Sequence, residues 1–383
     1  MQARDILEKL VGFPTVSRDS NLDLIGWVED YLASHGVAST RVYDETGQKA
    51  ALFANVGPDV DGGIILSGHT DVVPVDGQDW SSDPFVLTER DGRLYGRGTC
   101  DMKGFDALAL AAVPRALSAD LKRPLQIALS YDEEVGLLGA PPMIDAMRKT
   151  LPTASMAIIG EPTMMECVTA HKGGAGFDVH MRGFEVHSSL MHEGVSAIME
   201  GARLIQWAND RNAENRAAEP TELAALFEPP WTTLHVGQIK GGTAHNITAA
   251  DCEFLLAFRV VPGEDPAEWE RRFLDEVAKL DAEMKAVRPE AGITATRSFY
   301  APLLSPENGG PAEELVRRLT GDNGTHVVSY GTEAGQFQER GYSAVVCGPG
   351  DIAQAHQADE FIEISQLEAG EAFLDKVIES LCQ

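Results

Sequence analysis

Five short segments set a histidine or a carboxylate after apolar, strand-like runs or glycine turns. They are Ser67-Gly-His69-Thr-Asp71, Gly96-Arg-Gly98-Thr-Cys-Asp101-Met-Lys-Gly104, Tyr131-Asp-Glu133-Glu134-Val-Gly136, Gly160-Glu161-Pro-Thr163 and Ala355-His356-Gln-Ala-Asp-Glu360. Residues i and i+2 share a side of an extended chain, so Asp71 is placed to accept the ring N–H of His69, leaving the other ring nitrogen for a metal. Gly96 and Gly98 permit a tight turn that lifts Asp101 from a helix N-terminus, where one carboxylate can span two cations. A plain helix cap would satisfy the same residues. Glu133 and Glu134 cannot point the same way in extended chain, so one can bind metal while the other moves protons. Each segment alone also has an ordinary reading: a surface His–Asp pair, a solvated acidic turn, a surface histidine at His356.

Combined, the segments offer two histidines and several carboxylates without a thiolate, a donor set that suits two divalent metals such as zinc bridged by one carboxylate and one water. The charge of two dications would be balanced by Asp101, Glu134, Glu161 and one hydroxide. The five cysteines are widely spaced, form no Cys-x-x-Cys pair and read as buried thiols. There is no phosphate-binding Gly-x-x-x-x-Gly-Lys-Ser/Thr loop and no His-Glu-x-x-His. Gly194-Val-Ser-Ala-Ile198 fails the nucleophile-elbow pattern at its last position. The histidines at 35, 171, 180, 192, 235 and 326 read as ordinary surface or core residues.

The elements that must position these residues alternate. Residues 23–35 and Lys103–Leu117 read as helices, while Gly63–Ser67, Leu125–Ser130 and Ala157–Gly160 read as unbroken apolar strands, which belong inside a sheet covered on both faces. The fold class is α/β. From about Gly174 the order becomes strand (Gly176–Arg182), helix (Ser196–Asn209), two strands (Thr232–Lys240, Asp251–Val261), helix (Pro266–Val287) and strand (Ile293–Tyr300), a ferredoxin-like βαββαβ insertion. A β-rich run at Ser343–Cys347 and a closing amphipathic helix then return to the first style, so the first lobe includes both chain ends. Two lobes also fit 383 residues, against about 150 for a typical domain. The formal net charge of −28 argues against nucleic acid and anionic lipid as partners. No window approaches the roughly 18 apolar residues of a membrane span, and a cytoplasmic location is expected.

The order and wording of the segments resemble the aminoacylase/succinyl-diaminopimelate desuccinylase family of co-catalytic zinc amidohydrolases. The likeness runs from Gly68-His-Thr-Asp71-Val-Val-Pro74 through Gly96-Arg-Gly98, Asp101-Met-Lys-Gly104, Asp132-Glu-Glu134-Val-Gly136, Gly160-Glu-Pro-Thr163 and the His187-Ser-Ser segment after Gly183 to Ala355-His356. It implies a zinc-peptidase-like three-layer catalytic domain with a mixed central sheet (residues 1–173 and 301–383) and an inserted lid and dimerisation domain (174–300). It also implies that His69 and Glu161 hold one zinc, Glu134 and His356 the other, and Asp101 both, with Co2+ or Mn2+ as alternative metals. Asp71 would steady His69, and Glu133 would be the general acid/base. His187 would stabilise the oxyanion, in its own site or in that of a homodimer partner. Asn246 matches a lid asparagine near the substrate, and Arg259 sits where a cation could hold a substrate carboxylate. One departure is Thr248, where many relatives carry proline. Glu161 in place of aspartate leans toward the deacetylase and desuccinylase branch, and Tyr330-Gly-Thr332-Glu333-Ala-Gly335 resembles a loop of the deacetylases, which implies that Thr332 and Glu333 contact the substrate. The expected reaction is hydrolysis of N2-acetyl-L-ornithine in arginine biosynthesis, with a desuccinylase as the alternative.

Overall fold

Apolar runs without alternation become the inner strands of an eight-stranded mixed sheet, as strands buried on both faces must. The computed structural model describes residues 1–383. In chain order the first elements are α1 (Ala3–Val11), α2 (Leu22–Ser34), β1 (Ser39–Tyr43), β2 (Ala50–Val56), β3 (Ile64–His69), β4 (Thr88–Arg90), β5 (Arg93–Tyr95), α3 (Lys103–Ser118), β6 (Leu125–Ser130), α4 (Ala140–Thr150), β7 (Met156–Ile159) and β8 (Val168–His171). The middle of the chain gives β9 (Gly173–Arg182), α5 (Ala197–Ala217), β10 (Thr233–Gly241), β11 (Asp251–Val260), α6 (Pro266–Val287) and β12 (Gly292–Ala301). The last elements are α7 (Pro311–Thr320), β13 (His326–Val328), α8 (Ala334–Glu339), β14 (Ser343–Val346), β15 (Phe361–Glu363) and α9 (Ile364–Leu381). Two units result: Met1–Ala170 with Leu304–Val327 and Thr332–Gln383, and His171–Leu303 with Val328–Gly331.

In the first unit the sheet order is β1-β2-β6-β3-β7-β14-β8-β13. Strands β6, β3, β7 and β14 run parallel, while β1, β2 and β8 are antiparallel to their neighbours. Every residue of β3 and β6 is buried. Ile64 and Leu66 join a core built with α1, α3 and α9; Ile65, between them, turns to the opposite face. Helices α4 and α8 also pack against strands of this sheet. Helix α3 is buried almost all round, which its run of alanine and leucine permits. The chain leaves β3 for β6 on one side and crosses to β7 on the other. The carboxyl end of β3 is therefore a switch point, where open α/β sheets bind ligands. A small third sheet, β15-β5-β4, pairs Phe361 with Tyr95 and ties the end of the chain to the turn before α3.

The second unit is an antiparallel sheet, β10-β11-β9-β12, with the βαββαβ order. Along β11 the residues Cys252, Phe254, Leu256 and Phe258 face a core shared with Leu204, Trp269, Phe273 and Leu280 of the two helices, and the alternate side chains are mostly exposed. Helix α5 runs to Ala217, beyond the Asn209 expected. Its polar end lacks apolar periodicity and is held instead by Asn212 and Asn215, whose amides donate to the carbonyls of Leu234 and Thr232 at 2.8 Å each. The cysteines are all free, four of them buried. No helix is long and apolar enough to cross a membrane.

Candidate metal centre

The carboxyl ends of four parallel strands each deliver part of one cluster. His69 ends β3, Glu133 and Glu134 follow β6, Glu161 follows β7, and His356 lies in the loop after β14. Asp101 stands just ahead of α3, lifted by a turn in which Gly98 adopts φ +83, a conformation that favours glycine. Its carboxylate spans the two imidazoles: Oδ1 lies 3.1 Å from His69 Nε2 and Oδ2 3.1 Å from His356 Nε2. Glu134 approaches His356 Nε2 to 3.0 Å, and Glu161 approaches His69 Nε2 to 3.8 Å. Ligand atoms of His69, Glu133 and Glu161 lie within 4.8 Å of one another, as do those of His69, Asp101 and Glu134.

Such crowding of like charge raises carboxyl pKa values. Burial first, then the charge of Glu161, pushes Glu133 well up; burial and Asp101 do the same to Glu134 and, more strongly, to Glu161. Asp101 goes the other way. Burial opposes it, but hydrogen bonds from His356 and His69 hold it well below the usual range. Its hydrogen bond to Asp101, then that to Glu134, lifts His356 to about 10. Burial disfavours the His69 cation, yet Asp101, Glu161 and Glu133 carry its pKa well above the ordinary value. Four carboxylates converging on two imidazoles demand positive charge, and an imidazole–carboxylate donor set without thiolate fits borderline or hard divalent cations. Cys100 is not a competitor: its thiol donates to the Asp351 carbonyl, 3.3 Å away.

Three expectations need correction. His69 Nδ1 is bonded at 2.9 Å by the backbone carbonyl of Asp71, not by its carboxylate, which lies at 3.6 Å. That carboxylate instead accepts the backbone N–H groups of Glu133 (3.1 Å) and Glu134 (3.3 Å) and the Ser17 hydroxyl (2.7 Å). Glu133 and Glu134 are not in extended chain either; they sit in a turn entered through Asp132 at φ +55, and Asp71 anchors that turn. Lastly, Thr332 and Glu333, expected at the substrate, are 0% and 1% exposed. Thr332 Oγ1 accepts the Ala334 N–H, and Glu333 accepts the hydroxyls of Ser130 and, at 3.3 Å, Ser67. Burial lifts Glu333 to about 7.

His187, Asn246 and Arg259 belong to the second unit, where Asn246 and Arg259 are exposed. The Ser189 N–H donates to His187 Nδ1 at 3.2 Å. Nδ1 is thus an acceptor, and the proton of the neutral ring resides on Nε2, free to donate. Thr248 explains its own departure: its N–H donates to the Val186 carbonyl, while its hydroxyl accepts from Val186 N–H and donates to the Phe184 carbonyl, fixing the segment that leads into His187. Sequence reasoning missed Arg97 and the role of Glu360. Both are buried, 2.6 Å apart, and Glu360 accepts the N–H groups of Cys100 and Asp101. Nothing in the Gly96-Arg-Gly98 motif signalled this, since an arginine in a turn ordinarily faces solvent.

The sequence model of peptidase family M20/M25/M40 matches residues 65–380. An acetylornithine deacetylase from Myxococcus xanthus is 38% identical over 395 aligned residues, covering 99% of this chain and 97% of that protein. Among solved structures, the M20 metallo-carboxypeptidase Sso-CP2 of Sulfolobus solfataricus superimposes with a TM-score of 0.79 at 17% identity, covering 100% of this chain and 99% of that one. A dinuclear metal-binding M20 peptidase from Bacillus subtilis gives 0.65 at 14% identity, covering 99% and 97%. At such identities the structural matches speak for the fold.

Proposed function

The chain belongs to peptidase family M20/M25/M40 and is a metal-binding amidohydrolase, and from that premise we propose that it hydrolyses N2-acetyl-L-ornithine to L-ornithine and acetate. The observation that carries the reading is the Asp101 carboxylate shared between His69 and His356, with Glu133, Glu134 and Glu161 around it. His69 and Glu161 would hold one cation, Glu134 and His356 the other, and Asp101 both, with zinc as the metal and cobalt or manganese as substitutes. The choice of substrate rests on the identity to the Myxococcus protein over almost the whole chain.

Bound there, two divalent cations would polarise the amide carbonyl and lower the pKa of the attacking water toward about 7. Glu133 takes that water's proton. As general acid it then passes that proton to the departing ornithine nitrogen. Asp71 keeps Glu133 in place through its backbone N–H and orients His69 through its own carbonyl. The second unit serves as lid and as homodimer interface. From it, His187 supplies an Nε2–H to the developing oxyanion, Asn246 contacts the acyl-amino acid, and Arg259 pairs with its α-carboxylate. A biosynthetic deacetylase of this kind would act in the cytoplasm.

Side-by-side turnover of N2-acetyl-L-ornithine and N-succinyl-diaminopimelate, with and without a chelator, tests the reading. The acetyl substrate should give the higher kcat/KM, with activity lost on chelation and restored by Zn2+. Preference for the succinyl amide overturns the substrate, and chelator-resistant turnover overturns the metal.

A further inference from the structure

Asp101 and His356 lie on segments more than 250 residues apart, yet the cluster needs their side chains held to a fraction of an ångström. One buried ion pair joins those segments. Arg97 and Glu360 are each 1% exposed. One oxygen of Glu360 accepts Arg97 Nη1 at 2.6 Å; the other accepts the backbone N–H of Cys100 at 2.9 Å and of Asp101 at 3.1 Å. The guanidinium also reaches the opposite loop, with Nη1 3.3 Å from the Gln357 carbonyl and Nη2 2.5 Å from Gln78 Oε1. Gln78 closes the circuit, its amide donating to the carbonyl of His356 at 2.8 Å. Beneath these bonds the pairing of β5 with β15 sets the register, so that the Gly96 N–H meets the Glu360 carbonyl at 3.0 Å. Trp80 covers the guanidinium, its ring centroid 5.1 Å away.

We propose that Arg97 and Glu360, with Gln78, form a buried clamp that positions Asp101 and His356 against each other, so that the shared-carboxylate geometry exists before a cation arrives. Burying such a pair gains little stability over apolar packing, and its use lies in fixing one arrangement. The guanidinium serves Glu360, Gln357 and Gln78 at once in a fixed planar fork, a geometry that the compact ammonium of a lysine does not reproduce. Neither residue belongs to the groups of ligand atoms that could hold a metal. They act through the backbones of Asp101 and His356, as outer hydrogen-bond partners act on metal ligands.

The inference rests on the assignment of Asp101 and His356 as ligands, and the experiment separates the two. Chelator-stripped protein is titrated with Co2+ while visible absorption is recorded, for the parent, Arg97→Lys, Glu360→Gln and Gln78→Ala. The parent should bind two ions with tetrahedral or five-coordinate bands. In Arg97→Lys the affinity should fall about 10- to 100-fold with altered band shape, and Gln78→Ala should move the same way by less. Thermal unfolding in chelator shows whether each variant is folded; if Arg97→Lys is not, Glu360→Gln and Gln78→Ala decide. Folded variants whose titrations superimpose on the parent in affinity and band shape overturn the clamp, whatever their melting temperatures. A parent that binds no Co2+ removes the ligand assignment and the clamp with it.

Discussion

Glu133 and Glu134 are chemically identical neighbours, and what separates them is the company each keeps. Glu134 faces His356 at 3.0 Å, while Glu133 gathers with His69 and Glu161 without approaching His356. Glu133→Gln preserves size and the backbone bond to Asp71 while removing the proton acceptor. It should retain the parental metal stoichiometry by elemental analysis while kcat falls about 10²- to 10⁴-fold. A kcat near that of the parent would take Glu133 out of the proton transfer. His187 is argued from its tautomer: with Nδ1 engaged by Ser189, Nε2 is the donor. His187→Ala should lower kcat about 10²- to 10³-fold with metal content unchanged, and steady-state kinetics showing only a raised KM would make it a binding residue instead.

At the scale of elements, the centre depends on how closely α3 approaches the ends of β3 and β7. A Cβ built on Gly68 would stand 2.1 Å from Asp106 Oδ1 of α3, and one on Gly160 would stand 1.9 Å from the Phe105 ring. Asp106 is itself fully enclosed with neither oxygen hydrogen-bonded, and burial pushes its carboxyl well above the usual range, so it cannot yield by turning toward water. Gly68→Ala should therefore destabilise by about 1 to 3 kcal/mol in urea unfolding and weaken metal uptake, since His69 is the next residue. An unchanged midpoint would mean that α3 has slack. The strands themselves were readable because an apolar run without alternation has one home, the inside of a covered sheet, and β6 and α6 appear with the very ends expected. The cluster was readable because its ligands sit where such strands end. The clamp was not, because nothing in the spacing of Arg97 and Glu360 encodes the pairing of β5 with β15. Nor could periodicity reveal that Asp132 takes a positive φ, that Thr332 is buried against its own turn, or that Glu333 turns inward to the serines of β3 and β6.

For the whole molecule, acidity sets a limit through a residue with no part in the proposed proton transfer. His171 at the end of β8 is fully buried, its Nδ1 2.9 Å from the Lys172 carbonyl, and burial lowers its pKa to about 4, against 6.5 for an exposed histidine. Below pH 6.5 the unfolded chain takes up a proton there that the folded protein refuses, so the contribution is complete above pH 6.5 and drains away as the pH falls toward 4. Over that interval the loss amounts to about 3 kcal/mol. Other groups titrate in the same range, and a net charge of −28 makes self-repulsion diminish as carboxylates protonate, so the bare pH profile mixes opposing effects. A difference isolates the histidine. Urea unfolding of chelated parent and His171→Gln, compared from pH 7.5 down to 4, should show the parent losing about 3 kcal/mol more than the variant. Parallel profiles would mean that His171 charges within the fold, and the origin of acid lability would then have to be sought in the carboxylate cluster.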